Sequence, residues 1–259
     1  MTLQGKTIVV TGVGPGLGRE VAERALREGA NLVIAARTAA KVEQTAHELD
    51  PTGSRVLPVA ADITNAADDE RIVRAGVERF GGIDGLVQVA AYDSLFGGVM
   101  DTDLDGWRRT FETNVFGTVQ LVKAAVPALR ERGGGSIVLI GSLTQFLPTT
   151  PQIAYGSSKG ALLTATYHMA RELGPSRIRV NMVVPSWMWG PPVQTYVAMS
   201  AKQRAVSEEK VIAEIASVMP LGEIPTDGDV AETAVFLASD RARMITGQAI
   251  QVNGGHFLR

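Results

Sequence analysis

The amino-acid sequence predicts an α/β protein: a doubly wound, seven-stranded parallel sheet with helices on both faces. Three observations carry this. Short apolar runs alternate with longer amphipathic stretches from end to end, the pattern of strands joined by crossover helices. The runs are continuously apolar rather than alternating, as in strands covered on both faces. The first run passes through a glycine-rich turn into a helix, the unit that opens such sheets.

The elements follow in order. Thr7–Thr11 (TIVVT) reads as the first strand. Leu17–Glu28 places Leu17, Val21, Ala25 and Leu26 on one face and Arg19, Glu20, Glu23, Arg24 and Arg27 on the other, a helical period. Asn31–Ala36 is the second strand, Ala39–Leu49 the second helix and Arg55–Ala60 the third strand. Proline cannot donate to a strand ladder, so Pro58 assigns the third strand to an edge, where the order 3-2-1-4-5-6 places it. Helix Ala66–Phe80, strand Gly85–Ala90, a long helix Asp103–Arg132 and strand Ser136–Ile140 come next. Helix Pro151–Leu173, strand Ile178–Val184, an irregular stretch to about Met219, helix Asp227–Ala238 and strand Gln248–Val252 complete the chain.

A chain of 259 residues, 45% hydrophobic and 20% charged, buries a large core, and residues 1–259 are expected to form one domain. A net charge of -2 gives nucleic acid no electrostatic footing. With no cysteine, disulfides, thiolate metal sites and cysteine nucleophiles are excluded. The three histidines, His47, His168 and His256, lack ligand spacing, so no metal is expected; His47 is expected on a solvated face and His168 packed. The start, Met1-Thr2-Leu3-Gln4-Gly5-Lys6, lacks signal-peptide features, and no apolar stretch approaches membrane-spanning length. A cytoplasmic protein without a membrane partner is the expectation. Paired basics such as Arg177 and Arg179 read as surface.

Chemistry enters at four places. Thr11-Gly12-Val13-Gly14-Pro15-Gly16-Leu17-Gly18 lies between a strand and a helix, where glycines let the backbone approach a pyrophosphate and the helix N-terminus favours its charge. The second strand ends at Ala36-Arg37-Thr38, which offers no acid for a ribose 2′-hydroxyl but a cation for a 2′-phosphate, so NADP(H) is favoured over NAD(H). Tyr155 and Lys159 are four apart and share a helix face, where an ammonium lowers the phenol's pKa toward the range of a general acid/base. Ser142 follows a strand end, at the ligand crevice of such a sheet, and its hydroxyl can bond a substrate oxygen.

These features together resemble the short-chain dehydrogenase/reductase family, single-domain Rossmann type, over essentially the whole length. The matching residues are Thr11-Gly12-x-x-x-Gly16-x-Gly18, Asp62-Ile63-Thr64, Asn114, Ser142, Tyr155-x-x-x-Lys159 and Arg179-Val180-Asn181 before Pro185. The resemblance implies that Tyr155 is the acid/base and Ser142 orients the substrate oxygen. It implies that Lys159 serves both Tyr155 and the nicotinamide ribose, that Asn114 helps hold a relay water, and that Asp62 contacts adenine. Cofactor contacts are expected at Gly12, Gly14, Pro15, Gly16, Leu17, Gly18, Arg37, Thr38, Asp62 and Ile63. They continue at Ala90, Ala91, Tyr155, Lys159, Pro185 and Met188. The chain departs from the family pattern at Gln88-Val89-Ala90-Ala91, where Asn-Asn-Ala-Gly is usual. It departs again at Ser186, usually Gly, at Gly190, usually a cofactor-bonding Thr, and at Pro15, a basic residue in many NADP-using relatives.

The activity expected is NADP(H)-dependent interconversion of a secondary alcohol and a ketone. Reduction of a carrier-bound 3-oxoacyl group uses the same residues, and a non-catalytic nicotinamide-binding sensor is the alternative of a different class. Residues 186–219 stand where relatives place a substrate lid. Trp187, Trp189, Met188 and Tyr196 make it soft and apolar, and Gly190 is expected as its hinge. Ser142, Gln145, Tyr155, Trp187 and Trp189 are the expected substrate contacts, for a mostly apolar, ring-containing small molecule. Surplus apolar residues on the two long helices (Val115, Val119, Val122, Val126 and Leu129; Leu162, Leu163, Ala165 and Met169) imply a homotetramer, as relatives form.

Overall fold

The computed structural model describes residues 1–148 and 151–258. Its strands are β1 (Thr7–Thr11), β2 (Asn31–Ala36), β3 (Val56–Ala60), β4 (Gly85–Gln88), β5 (Gly135–Ile140), β6 (Ile178–Pro185) and β7 (Ala249–Val252). All seven lie in one parallel sheet in the order β3-β2-β1-β4-β5-β6-β7. Pro58 is on the edge strand, opposite Ile34, as its missing N–H requires.

The apolar runs are continuous because neighbouring residues serve opposite faces. Ile8 and Val10 of β1 point to one core, and Val9 to the other. The first core also takes α1 (Leu17–Arg27), α2 (Ala39–Leu49) and, after the helices named next, α9 (Asp227–Ala238). The second takes α3 (Ala66–Phe80), α5 (Thr118–Glu131) and α6 (Ile153–Leu173). Helix α4 (Leu104–Phe111) leads into α5. The chain order reverses between β1 and β4, the switch point at which such sheets place their ligand crevice, at the strands' C-terminal ends.

Five expectations are corrected. The helix expected over Asp103–Arg132 is α4 and α5 joined by a widened π-helical turn, Glu112–Gly117. Its cause is tertiary. Asn114 is tied to neighbouring segments, and Gly117 lies so close to Ile63 that a Cβ would come 2.7 Å from the Ile63 carbonyl oxygen. Within the stretch expected to be irregular, Pro191–Arg204 forms α7 and Glu208–Ala216 forms α8. Proline at the first helical positions suits α7, and Ser207 caps α8 by accepting from Lys210 N at 3.3 Å. The pair encloses its own apolar cluster of Val197, Ala201, Val211, Ile215 and Met219.

Arg179, expected at the surface, is partly buried and donates to Leu237 O at 2.8 Å and Ser239 O at 3.0 Å. These carbonyls end α9, where a cation complements the helix dipole. Of the residues expected to be surplus on the long helices, Val122, Val126, Leu129 and Leu162 are buried in the core. His47 is exposed as expected, but His168 is exposed too rather than packed. Among the described residues, no helix is long and apolar enough to cross a membrane.

Candidate active site

The turn after β1 is shaped by close approach. Gly12 has a φ of 77°, and a Cβ there would overlap the backbone of Ala90; one at Gly18 would overlap the Gly12 carbonyl. The loops after β1 and β4 therefore touch only because position 12 has no side chain. Helix α1 starts at Gly16 with no side-chain cap, which leaves its first N–H groups available to an anion. Gly14 has open space around its Cα, and Pro15 is exposed. Leu17 is buried in the core, so only its backbone can serve a ligand.

Arg37 and Thr38 are exposed just beyond β2, and Arg37 makes no ion pair among the described residues. Asp62 accepts from Thr64 N at 3.0 Å and Thr64 Oγ1 at 2.8 Å, which fixes the turn after β3 and buries Ile63 beneath it. Gln88, which replaces the family's Asn, reaches sideways and donates to Thr118 Oγ1 at 2.6 Å.

Around Tyr155 the chain is tightly fixed. Lys159 is 3% exposed, its Nζ donates to Ile140 O at 2.7 Å, and it stands 5.5 Å from the Tyr155 ring centre. Burial brings the Lys159 ammonium down to about 8, although the Asp93 charge pushes the other way. Tyr155 departs from expectation. Burial pushes its phenol up and the Asp93 carboxylate adds to this, with only the Ser142 hydrogen bond opposing. Lys159 Nζ is turned to a backbone carbonyl, and only the Ser142 hydrogen bond works against the rise.

Asn114 holds the surroundings. Its Oδ1 accepts from Tyr92 N at 2.7 Å, and its Nδ2 donates to Tyr92 O and Ser158 Oγ, each at 3.0 Å. The side chain thus ties the loop after β4 to the helix carrying Tyr155.

A cleft of about 440 Å³ opens above these residues. It is lined by Ser142, Tyr155, Pro185, Met188 and Trp187, all expected at the site. Trp187 packs on Tyr196 with ring centres 5.3 Å apart. Two expected substrate contacts are not on its wall. Gln145 turns back to cap its own turn, accepting from Ser142 N at 3.4 Å and pointing Nε2 at Met182 Sδ. Trp189 packs on the α7–α8 cluster instead, and its backbone N–H donates to Pro225 O at 2.7 Å. Gly190 is extended rather than hinge-like, and its missing Cβ leaves room for the Asp227 carboxylate.

Three titratable lining residues were missed: Asp93, Asp227 and His256. Asp227 lies beside both Gly16 and Gly190, and burial together with the Glu20 charge pushes its carboxyl up. His256 Nδ1 is buried and has no hydrogen-bond partner among the described residues, and burial holds its ring below the usual histidine range. Phe257 stacks on Phe146 at 5.3 Å and so anchors this terminal segment beside the cleft. Only Asp93 left a trace in the sequence, since it follows a strand end; the other two reach the site through folding of distant segments. No cluster of three or more His, Cys, Asp or Glu placed to hold a metal occurs among the described residues.

The residues present fit a dinucleotide: the Gly12–Gly18 cradle would be filled by any Cβ at Gly12 or Gly18, and the bare start of α1 lies against it. Such a cradle, opening onto a cleft with a tyrosine–lysine pair, defines a nicotinamide-dependent dehydrogenase or reductase. Comparison with known proteins agrees. Residues 12–256 match the family model described as enoyl-(acyl carrier protein) reductase. The human protein "Dehydrogenase/reductase SDR family member 4" is 34% identical over 98% of this chain and 88% of its own length. "2-(S)-hydroxypropyl-CoM dehydrogenase 3" of Xanthobacter autotrophicus is 34% identical over 98% of this chain and 97% of its own length. A short-chain type dehydrogenase/reductase from Mycobacterium ulcerans superposes with a TM-score of 0.90 at 33% identity, covering 100% of this chain and 92% of that one. The chain belongs to the short-chain dehydrogenase/reductase family, and it is an NAD(P)-dependent oxidoreductase acting on CH–OH groups.

Proposed function

We propose that the protein interconverts a mostly apolar, ring-bearing secondary alcohol and its ketone with NADP(H), residues 1–259 acting as one unit. The observation that carries this is the convergence of Tyr155, Ser142 and an apolar wall on one cleft, with buried Lys159 behind the tyrosine. The exposed Arg37, without an ion pair among the described residues, and the lack of an acid at Ala36 support the 2′-phosphate.

Nicotinamide, when bound, supplies hydride to the ketone carbon or takes it from the alcohol carbon. The Tyr155 hydroxyl gives its proton to the substrate oxygen in reduction and recovers it in oxidation. Ser142, hydrogen-bonded to the phenol, orients the same oxygen. Lys159 places positive charge beside the phenolate as it forms, and its bond to Ile140 O keeps it there. Asn114 acts through backbone and Ser158, holding the β4 loop and α6 in register.

The assay follows reduced-nicotinamide absorbance with NADPH or NADH over a panel of ketones. Tyr155→Phe is expected to lower turnover by about 10²–10⁴ with cofactor affinity retained; undiminished turnover would remove Tyr155 from its role. Ala36→Asp combined with Arg37→Leu is expected to weaken NADPH binding and raise use of NADH. A wild-type protein that already prefers NADH would overturn the cofactor assignment.

A further inference from the structure

The cleft carries a charge that proton and hydride transfer do not need. Asp93 stands on its wall with Phe96, Trp187 and Tyr196. Its carboxylate is exposed, and its one hydrogen bond among the described residues is from Ser94 Oγ at 3.3 Å. It makes no ion pair among those residues.

The position of Asp93 is fixed. Its carbonyl accepts from Gln152 Nε2 at 3.0 Å, and Asn114 grips the backbone of Tyr92 just before it. The loop is tied further on, where Gly97 N donates to Pro151 O at 2.6 Å. Asp93 lies close enough to the reacting centre that both Tyr155 and Lys159 feel its charge.

No Lys or Arg side chain lines the cleft among the described residues, and Asp227 adds a second carboxylate. The burial of His256 favours its neutral ring, so it supplies no balancing charge. An exposed carboxylate on the wall of an aromatic-lined cleft, with no cation beside it among the described residues, favours a cationic group, which the ring faces also attract. An anionic substituent would be repelled there.

We propose that the substrate carries an ammonium group, bound by Asp93 while its alcohol or ketone oxygen meets Tyr155 and Ser142. This rests on the cleft being the substrate site of the function proposed above. It narrows the substrate to an amine-bearing, ring-containing alcohol or ketone.

The test uses three arylalkyl ketones of equal size whose far end carries an ammonium, a hydroxyl or a carboxylate. Calorimetry measures their binding with and without NADP⁺, where no turnover occurs, and absorbance measures their reduction with NADPH. The ammonium compound is expected to bind about twofold to fivefold tighter than the hydroxyl compound, the scale of an ion pair with an exposed carboxylate. The carboxylate compound is expected to bind weakest. Asp93→Asn should collapse the spread, and Asp93→Lys should reverse its order. Equal binding of all three by the wild type, or a spread that survives both substitutions, overturns the proposal. If the binding order holds while no ketone is reduced, the charge preference stands and the proposed reaction fails instead.

Discussion

Asp69 has 0% of its surface exposed, on a helix that packs against α5. Gln120 Nε2 donates to its Oδ2 at 3.1 Å, but Oδ1 has no partner among the described residues. Burial first, then the charges of Asp68 and Asp62, raise its carboxyl to about 7. The folded state therefore binds this proton more tightly than the unfolded chain, whose carboxyl titrates near 3.8. Stability from Asp69 is complete below the unfolded value and is lost as pH rises toward 7. Asp69→Asn should remove that loss. The melting temperature of the variant, relative to wild type, is expected to climb between about pH 4 and pH 7 and then level off. A difference that does not vary with pH would mean that the carboxyl is not held protonated. The same combination of burial and a neighbouring carboxylate acts on Tyr155, where it raises the phenol. A sequence spacing that places an ammonium on the same helix face could not reveal this, because desolvation depends on residues far away in the chain.

Helices α7 and α8 show how a stretch of weak helical pattern becomes ordered. Their apolar residues form a small cluster of their own, and Trp189 anchors it to the segment before α9 through its backbone bond to Pro225. Trp187, two positions earlier, packs on the same cluster but also lines the cleft, which Trp189 does not. The two tryptophans should therefore respond differently. Trp187→Ala is expected to raise KM for bulky ketones while small ones are little affected. Trp189→Ala is expected to lower the melting temperature, about 2–4 °C for each kcal/mol of packing lost in a chain of this size, without changing selectivity. Equal kinetic losses on small and bulky ketones in both variants would sink this division. The widened turn between α4 and α5 follows the same logic. Helical periodicity runs through Glu112–Gly117 unbroken, yet the Asn114 bonds and the Gly117 contact with Ile63 set the local geometry.

Phe116, Val119 and Tyr167 remain 59%, 39% and 47% exposed on the π-turn, α5 and α6, so the apolar surplus on this side of the sheet is narrower than the periodicity implied. They are the residues that a copy of the chain would cover, together with the exposed His168. A homotetramer is the assembly expected, and light scattering at micromolar concentration checks it: a mass near 27.5 kDa would exclude it. Phe116→Glu with Tyr167→Glu should shift the mass downward if these helices form the contact, and an unaltered tetramer would place the contact elsewhere.

The sequence alone determined the strand set, the sheet order and the dinucleotide turn. Each depends on local chemistry: continuous apolar runs, a proline confined to an edge, and glycines at a strand–helix junction. Tyr155, Lys159 and Ser142 were legible for the same reason, since a fixed spacing on one helix and a strand end placed them together. Folding decided the composition of the cleft. Asp93, Asp227 and His256 come from three separate segments, and only the packed sheet and the anchored C-terminal strand bring them to one wall. It also decided which expected residues drop out. Gln145 caps a turn and Trp189 fills a core, because a side chain takes the strongest contact within reach, and that contact is set by neighbours distant in sequence.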